Sequence, residues 1–273
     1  LSVLKSHVDR FNPQSNQDTL RTPSTLTQAG DSYCTSNGCL KMDLSGPIAS
    51  IEVRGPIYES EPYWDGVSWG QMVECLKAAQ ADQRVEVVLV NLLSPGGEVN
   101  GMFTACDTFA GRNAKPVVVY AEQMCSAAYI FGSVVADHIM VPMGSESGHI
   151  GVFKPLWNWS EQLKQDGISV TYVQAGAMKT AGFPDVPLDP SAIEMEQRIV
   201  NEVYDTACQY VARARRLTVN QVKATEARVF NANDAIQNGL VDSIGTFNQA
   251  MQYAYPLTKL GRKNRKIPTD TNV

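Results

Sequence analysis

Two apolar runs that each end in a turn of small residues constrain this chain more than any other feature. Val87-Val88-Leu89-Val90-Asn91-Leu92 leads into Ser94-Pro95-Gly96-Gly97, and Val117-Val118-Val119-Tyr120 leads through Glu122-Gln123-Met124-Cys125 into Ser126-Ala127-Ala128-Tyr129. Continuous apolar runs of this length read as strands buried on both faces, and each turn then opens a helix. Set side by side, two such turns supply what acyl transfer requires. One offers backbone N–H groups to a developing oxyanion, and the other offers a hydroxyl nucleophile at a helix N-terminus.

The rest of the chain continues the alternation. A strand is expected over 48–53, closed by Gly55-Pro56, and a helix over 68–81 from the spacing of Met72, Val73, Leu76 and Ala79. Strands at 85–92 and 116–121 precede helices at about 99–110 and 126–135, and a further strand covers His138–Val141. Beyond Gly148-His149-Ile150-Gly151-Val152 come an amphipathic helix near 157–165 and a strand at Val170–Val173. A long helix then runs from Pro190 to about Arg216, with Ile193, Ile199, Val203, Ala207, Tyr210, Val211 and Ala214 in one stripe, and short helices follow within 229–254. Alternating strands and helices argue an α/β fold with mainly parallel strands. Residues 1–44 are polar without an apolar period and read as a flexible or extended arm. Residues 45–255 form the main domain, and 256–273 form a tail around the basic cluster Gly261–Lys266.

Composition narrows the partners. A formal net charge of -5 argues against a nucleic-acid binder. No window reaches the ~18 consecutive apolar residues of a membrane span, and the first residues are too polar for a secretory signal. The expectation is a cytoplasmic protein without a membrane anchor. Of six cysteines, Cys34 and Cys39 could form a disulfide or half a metal site, but no second pair sits nearby. Reduced thiols and no metal or other cofactor are expected.

Among nucleophile–base pairings, histidine offers little. His7 lies in the arm and His138 on a strand, neither beside a motif that presents a nucleophile; His149 sits in a glycine turn. Lysine also activates a serine hydroxyl when held neutral. Two lysines, Lys154 and Lys179, lie near the motifs. Lys179 stands in Ala175-Gly176-Ala177-Met178-Lys179-Thr180-Ala181-Gly182, a small, apolar stretch of the kind that disfavours an ammonium; the same stretch also reads as a solvent-facing loop. Cys125 beside Ser126 has no histidine placed to serve it, and Ser133 reads as a packing residue.

Taken in order, Ser94-Pro95-Gly96-Gly97, Ser126-Ala127-Ala128-Tyr129, Gly148-His149-Ile150-Gly151-Val152, Gly176-Ala177-Met178-Lys179 and the closing Ala235–Gly245 segment resemble the signal peptide peptidase A family, which includes the prohead (capsid-assembly) proteases of tailed phages. The resemblance spans about 47–252. It implies a Clp-protease/crotonase-like α/β fold of repeated strand–strand–helix units and a serine endopeptidase with a Ser–Lys dyad. Carried over by position, Ser126 is the nucleophile, Lys179 the general base, and the N–H groups of Gly97 and Ala127 the oxyanion hole, while Gly96 serves the turn. Relatives usually carry Gly-Ser-Ile-Gly where this chain has Gly148-His149-Ile150-Gly151, and that serine is thought to orient the lysine. Here His149, or Ser145 or Ser147 from a shifted position, would take that part.

The resemblance further implies peptide or protein substrates bound as extended segments, and a homo-oligomer in which some relatives share the serine and lysine between subunits. Ala127, Ala128 and Ala175 suggest a lining suited to small or medium apolar residues. Gly96-Gly97-Glu98-Val99 and Lys179–Pro184 resemble the phage branch, so the expectation is a prohead protease that cleaves scaffold or other capsid proteins, in host cytoplasm or inside an assembling prohead. A soluble bacterial signal-peptide-peptidase-like protease, a non-catalytic capsid or scaffold component, and a crotonase-type acyl-CoA enzyme remain as alternatives.

Overall fold

Every second residue of Ile48–Arg54 is apolar and buried toward one face, with Ala49, Ile51 and Val53 wholly enclosed. This strand seeds the sheet of the computed structural model, which describes residues 27–29, 32–34, 40–62, 65–111 and 113–258. The strands are β1 (Thr27–Ala29), β2 (Ser32–Cys34), β3 (Leu40–Ser45), β4 (Ile48–Arg54), β5 (Ile57–Tyr58), β6 (Val67–Ser68), β7 (Val87–Ser94), β8 (Val117–Cys125), β9 (His138–Val141), β10 (Glu146–Gly148), β11 (Val229–Phe230) and β12 (Ser243–Ile244). Ten of them form one sheet in the order β1-β2-β3-β4-β7-β8-β10-β11, with β9 beside β8 and β12 beside β9; β5 and β6 pair separately. From β4 through β7 and β8 to β9 and β10 the pairing is parallel. The α/β class with a mainly parallel sheet is therefore the observed one.

The helices are α1 (Trp69–Ala81), α2 (Met102–Phe109), α3 (Ala127–Val135), α4 (Ser160–Gln165), α5 (Pro190–Arg215), α6 (Val219–Lys223), α7 (Ala232–Gln237) and α8 (Phe247–Leu257). Ser68 starts α1 with a reciprocal capping box to Gln71, and Trp69, Met72, Cys75, Leu76 and Ala79 form its buried stripe. Helices α1, α2 and α3 cover one sheet face over Ile51, Val53, Val88, Val90, Leu92, Val117 and Val119. Helix α8 covers the other, over Ile48, Val87, Leu89, Val118 and Tyr120. Each fully enclosed Leu or Ile in these layers is worth about 1.5–3 kcal/mol against exposure.

Strand β8 is the pivot. Its first half pairs with β9 through Val118–Tyr120, and its second half pairs with β10 through Gln123–Cys125. The last residue of β8, Cys125, pairs with Gly148 at the end of β10, and Ser126 follows it directly. Beyond the sheet, residues 151–189 and the first half of α5 project with many apolar side chains open to solvent: Phe153 at 84% exposure, Trp157 at 69% and Val173 at 102%.

Several expectations are corrected. All but the last residue of Leu40–Ser45 lies inside the segment read as an arm, yet Leu40–Ser45 forms β3 against β4 with Leu40 and Met42 buried. Val170–Val173 has β-branched and aromatic residues but no ladder partner, so it is not a strand; propensity without a neighbour to pair with does not hold one. The stripe of α5 is buried only at its C-terminal half, at Ala207, Cys208, Val211 and Ala212, while Ile193 and Ile199 are exposed. Helix α8 runs to Leu257, past the expected domain limit at 255. Cys39 and residues 1–26, 259–273 lie outside the described residues, as do the side chain of Cys34 and the basic cluster.

Candidate active site

Ser126 is the N-cap of α3 and has φ 53 and ψ -127, a backbone conformation costly for a residue with a side chain. Two backbone hydrogen bonds hold it there: its N–H donates to Gly148 O at 2.8 Å, and Ile130 N–H donates to its carbonyl at 3.0 Å. The strand-to-helix turn thus throws the Ser126 side chain out at the end of β8 rather than into a cap bond, since no side-chain cap is made. Strained serines on such turns recur where a hydroxyl must be presented.

The second turn meets the first here. Gly96 has φ +117, and a Cβ added to it would stand 2.7 Å from Ser126 Cβ and 3.2 Å from Ala127 N. Only glycine satisfies both the dihedral and the contact. Ser94, fully buried, steadies the turn by accepting the Gly96 N–H at 3.2 Å. Gly97 needs glycine for a different reason: a Cβ there would lie 1.9 Å from Ile57 O.

That close approach comes from a ladder. Ile57 N–H donates to Gly96 O at 2.9 Å, and Glu98 N–H donates to Ile57 O at 2.8 Å, the two bonds of a parallel bridge between Ile57 and Gly97. In a trans peptide the C=O and N–H point in opposite directions. With Gly96 O and Glu98 N–H turned toward Ile57, the N–H and C=O of Gly97 face the other way, as on an open strand edge. Among the described residues neither the Gly97 nor the Ala127 N–H has an acceptor.

The structure thus brings together Ser126, Ala127, Gly96 and Gly97, with Gly148 beneath them. Among the described residues no hydrogen bond ties Lys179 to this cluster. It lies exposed on the turn 176–182, its N–H donating to Gly176 O at 3.1 Å, and neither its Nζ nor Ser126 Oγ has a partner among the described residues. The loop that carries it closes on itself through Trp159 N–H to Pro184 O and Asn158 Nδ2 to Val186 O. The other motif lysine, Lys154, is paired with Glu196 of α5 at 2.7 Å. His149 is exposed, has φ 52, and donates its backbone N–H to Arg228 O at 2.8 Å. Ser145 and Ser147 are buried, and their hydroxyls are unpartnered.

Cys125 is buried next to Ser126, and its thiol is pushed up to about 11, by burial first and then by the Glu146 carboxylate. A thiol so held is a poor nucleophile at neutral pH. Sequence reading missed Ile57, Glu98 and Trp69 as neighbours of the turn. A two-residue strand after Gly55-Pro56 has no periodicity to betray it, and its pairing with Gly97 exists only in three dimensions.

A strained serine opening a helix beside a glycine turn with free N–H groups, on a parallel α/β sheet, offers the groups that hydrolytic acyl transfer requires. The family model for "Peptidase family S49" matches residues 110–261, and the chain belongs to that peptidase family. It is 32% identical over 225 residues to an inferred protease of Methanocaldococcus jannaschii, covering 77% of this chain and 71% of that one. Against Capsid assembly protease C of Escherichia phage lambda the identity is 29% over 231 residues, with 81% and 51% covered. Against Protease 4 of Haemophilus influenzae it is 28% over 214 residues, with 77% and 34% covered, so the chain spans about half of the first of these two relatives and about a third of the second. Among solved structures, an inferred enoyl-CoA hydratase/isomerase from Acinetobacter baumannii matches with a TM-score of 0.47 and 16% identity, covering 81% of each chain.

Proposed function

We propose that the chain is a serine endopeptidase that uses Ser126 as nucleophile and Lys179 as general base. The observation that carries the reading is the strained Ser126 set against Gly96, next to the unpartnered N–H groups of Gly97 and Ala127. The Lys179 amine takes the Ser126 hydroxyl proton as Oγ attacks the scissile carbonyl. The resulting oxyanion is held by the Gly97 and Ala127 N–H groups at the positive end of α3. The proton passes to the leaving amine, and a water activated by the same lysine then releases the acyl group. The outward N–H and C=O of Gly97 suit an extended substrate that adds as a strand.

Lys179 reaches the site in this reading when a second copy packs over the projecting segment. Phe153, Trp157, Val173 and Met178 are exposed around it, an apolar area of the kind that marks interfaces. An amine serves as base only after losing its proton, and burial under a neighbour favours that form. His149, exposed on the Gly148 turn, or Ser147 beneath it, then orients the lysine.

The substrates we propose are scaffold or other capsid proteins, processed in host cytoplasm or within a prohead. Support comes from the similarity to the lambda capsid assembly protease and, at 32% identity over 205 residues, to the head-tail preconnector protein GP5 of Enterobacteria phage P21. Similarity to Protease 4 and to an inferred signal peptide peptidase SppA of Enterococcus faecium favours a second reading, a bacterial protease of signal-peptide-peptidase type. Among the described residues no helix is long and apolar enough to cross a membrane. The deciding experiment is cleavage of an unfolded protein by wild type and by Ser126→Ala, with products mapped by mass spectrometry. Cleavage lost only with Ser126 is expected; an assembled wild type inert from neutral to alkaline pH would overturn the activity.

A further inference from the structure

The oxyanion turn is braced from behind by the chain that leaves β4. Gly55 N–H donates to Leu93 O at 2.9 Å, Ile57 N–H to Gly96 O at 2.9 Å, and Glu98 N–H to Ile57 O at 2.8 Å, so residues 55–57 run as a strand alongside 93–98. The backbone ladder ends there, and a side chain extends it by one rung. Glu98 Oε2 accepts the Glu59 N–H at 2.8 Å. From the other side the Trp69 indole Nε1 donates to Glu98 O at 3.0 Å, and Trp69 itself is buried against Phe131 and beneath Gly101. Asn100 Nδ2 contacts the Glu59 carboxylate at 3.4 Å.

We infer that Glu98 is a positioning residue for the oxyanion donor. The inference rests on the proposed role of the Gly97 N–H. The peptide between Gly96 and Gly97 can present that N–H to the substrate only while Gly96 O stays bonded to Ile57. Two-residue strands are easily frayed, and Ile57–Tyr58 is one. The Glu98 carboxylate pins the strap just past Ile57, and the Trp69 indole fixes the carbonyl of Glu98 itself, in the peptide to Val99. A charge-assisted bond to a backbone N–H is stronger than a neutral one, which suits an exposed clamp. A bond to Gly96 O also polarises the same peptide and strengthens its N–H as a donor.

The test compares wild type, Glu98→Ala and Glu98→Gln on a fluorogenic peptide built from a mapped cleavage site. Affinity for the matching peptidyl boronic acid, whose tetrahedral oxygen occupies the oxyanion position, is measured alongside. Glu98→Gln keeps an oxygen to accept the Glu59 N–H. Loss of a whole oxyanion donor costs about 10²–10³ in kcat, so a misaimed one is expected to cost about ten- to hundred-fold in Glu98→Ala. KM should stay within about two-fold, boronate affinity should fall with kcat, and Glu98→Gln should recover most of kcat. Unchanged kcat in Glu98→Ala overturns the inference, as does an equal loss in both variants that follows a lowered melting temperature. A wild type that cleaves nothing instead overturns the protease reading, and the inference falls with it.

Discussion

Two neighbours, Cys125 and Ser126, divide the labour of the β8 end between them. With its thiol pushed up to about 11, Cys125 stays protonated at pH 7. Cys125→Ala is therefore expected to cleave within about two-fold of wild type, and iodoacetamide to leave activity intact, while a fluorophosphonate inactivates through Ser126. Gly97 makes the reverse case, a residue with no room for change. An added Cβ would sit 1.9 Å from Ile57 O, and backbone cannot yield as a flexible side chain can. Gly97→Ala should cost about 3 kcal/mol or more of stability or break the Ile57 bridge. Denaturant unfolding measures the first, and loss of cleavage by still-folded protein reveals the second.

At the scale of elements, β9, β12, α5 and α8 are joined by one polar cluster. The Arg215 guanidinium donates to both Asp242 carboxylate oxygens, at 3.0 and 2.8 Å, and to Gly239 O at 3.0 Å; Asp242 Oδ2 also accepts the Ile139 N–H at 2.7 Å. His138 Nε2 lies 2.7 Å from Ser243 Oγ, and its ring stacks on Tyr253 of α8 with centroids 4.1 Å apart. Burial lowers His138 from its ordinary 6.5, against the pull of Asp242. Burial pushes Asp242 up, but the bonds from Arg215 and Ile139 outweigh it and hold the carboxyl low. With the His138 value depressed in the fold, the unfolded chain binds more protons as pH falls through 6.5. The stabilisation is present above that value and is lost below it. Stability should therefore fall from pH 7.5 to 5, with a slope under about 1.4 kcal/mol per pH unit, the limit for one proton, and further reduced by the partial exposure of the ring. Urea titrations across that range check it, and His138→Gln should flatten the profile.

For the whole molecule, the proposed second copy would cover the exposed apolar segment and enclose Lys179, which is exposed in the single chain. The proposed assembly predicts that Val173→Asp is smaller than wild type by light scattering and inactive. Mixing inactive Ser126→Ala with inactive Lys179→Ala, followed by re-assembly, should restore up to about a quarter of wild-type cleavage if neighbours share the dyad, because a closed symmetric ring then forms intact sites at random. No recovery in mixed oligomers would place both residues within one chain.

How much of this was legible beforehand varies with the range of the interaction. The strands expected over 85–92 and 116–121, which the fold carries on to Ser94 and Cys125, the helices opening near Trp69 and Ala127, and the peptidase family itself were readable, because apolar runs, caps and glycine turns are local signals. Residues 40–45 escaped because Leu40, Met42 and Leu44 alternate only briefly and become a strand by pairing with β4. Val170–Val173 misled for the opposite reason, having strand-like residues and no partner. The sequence by itself determined the order of the motifs, the serine at a helix start and the glycines its turn demands. Only the tertiary structure decided that Ile57 and Glu98 brace the turn, that β8 divides its pairing between β9 and β10, and that Lys179 faces solvent. Those outcomes depend on contacts between residues far apart in the chain, which no local pattern encodes.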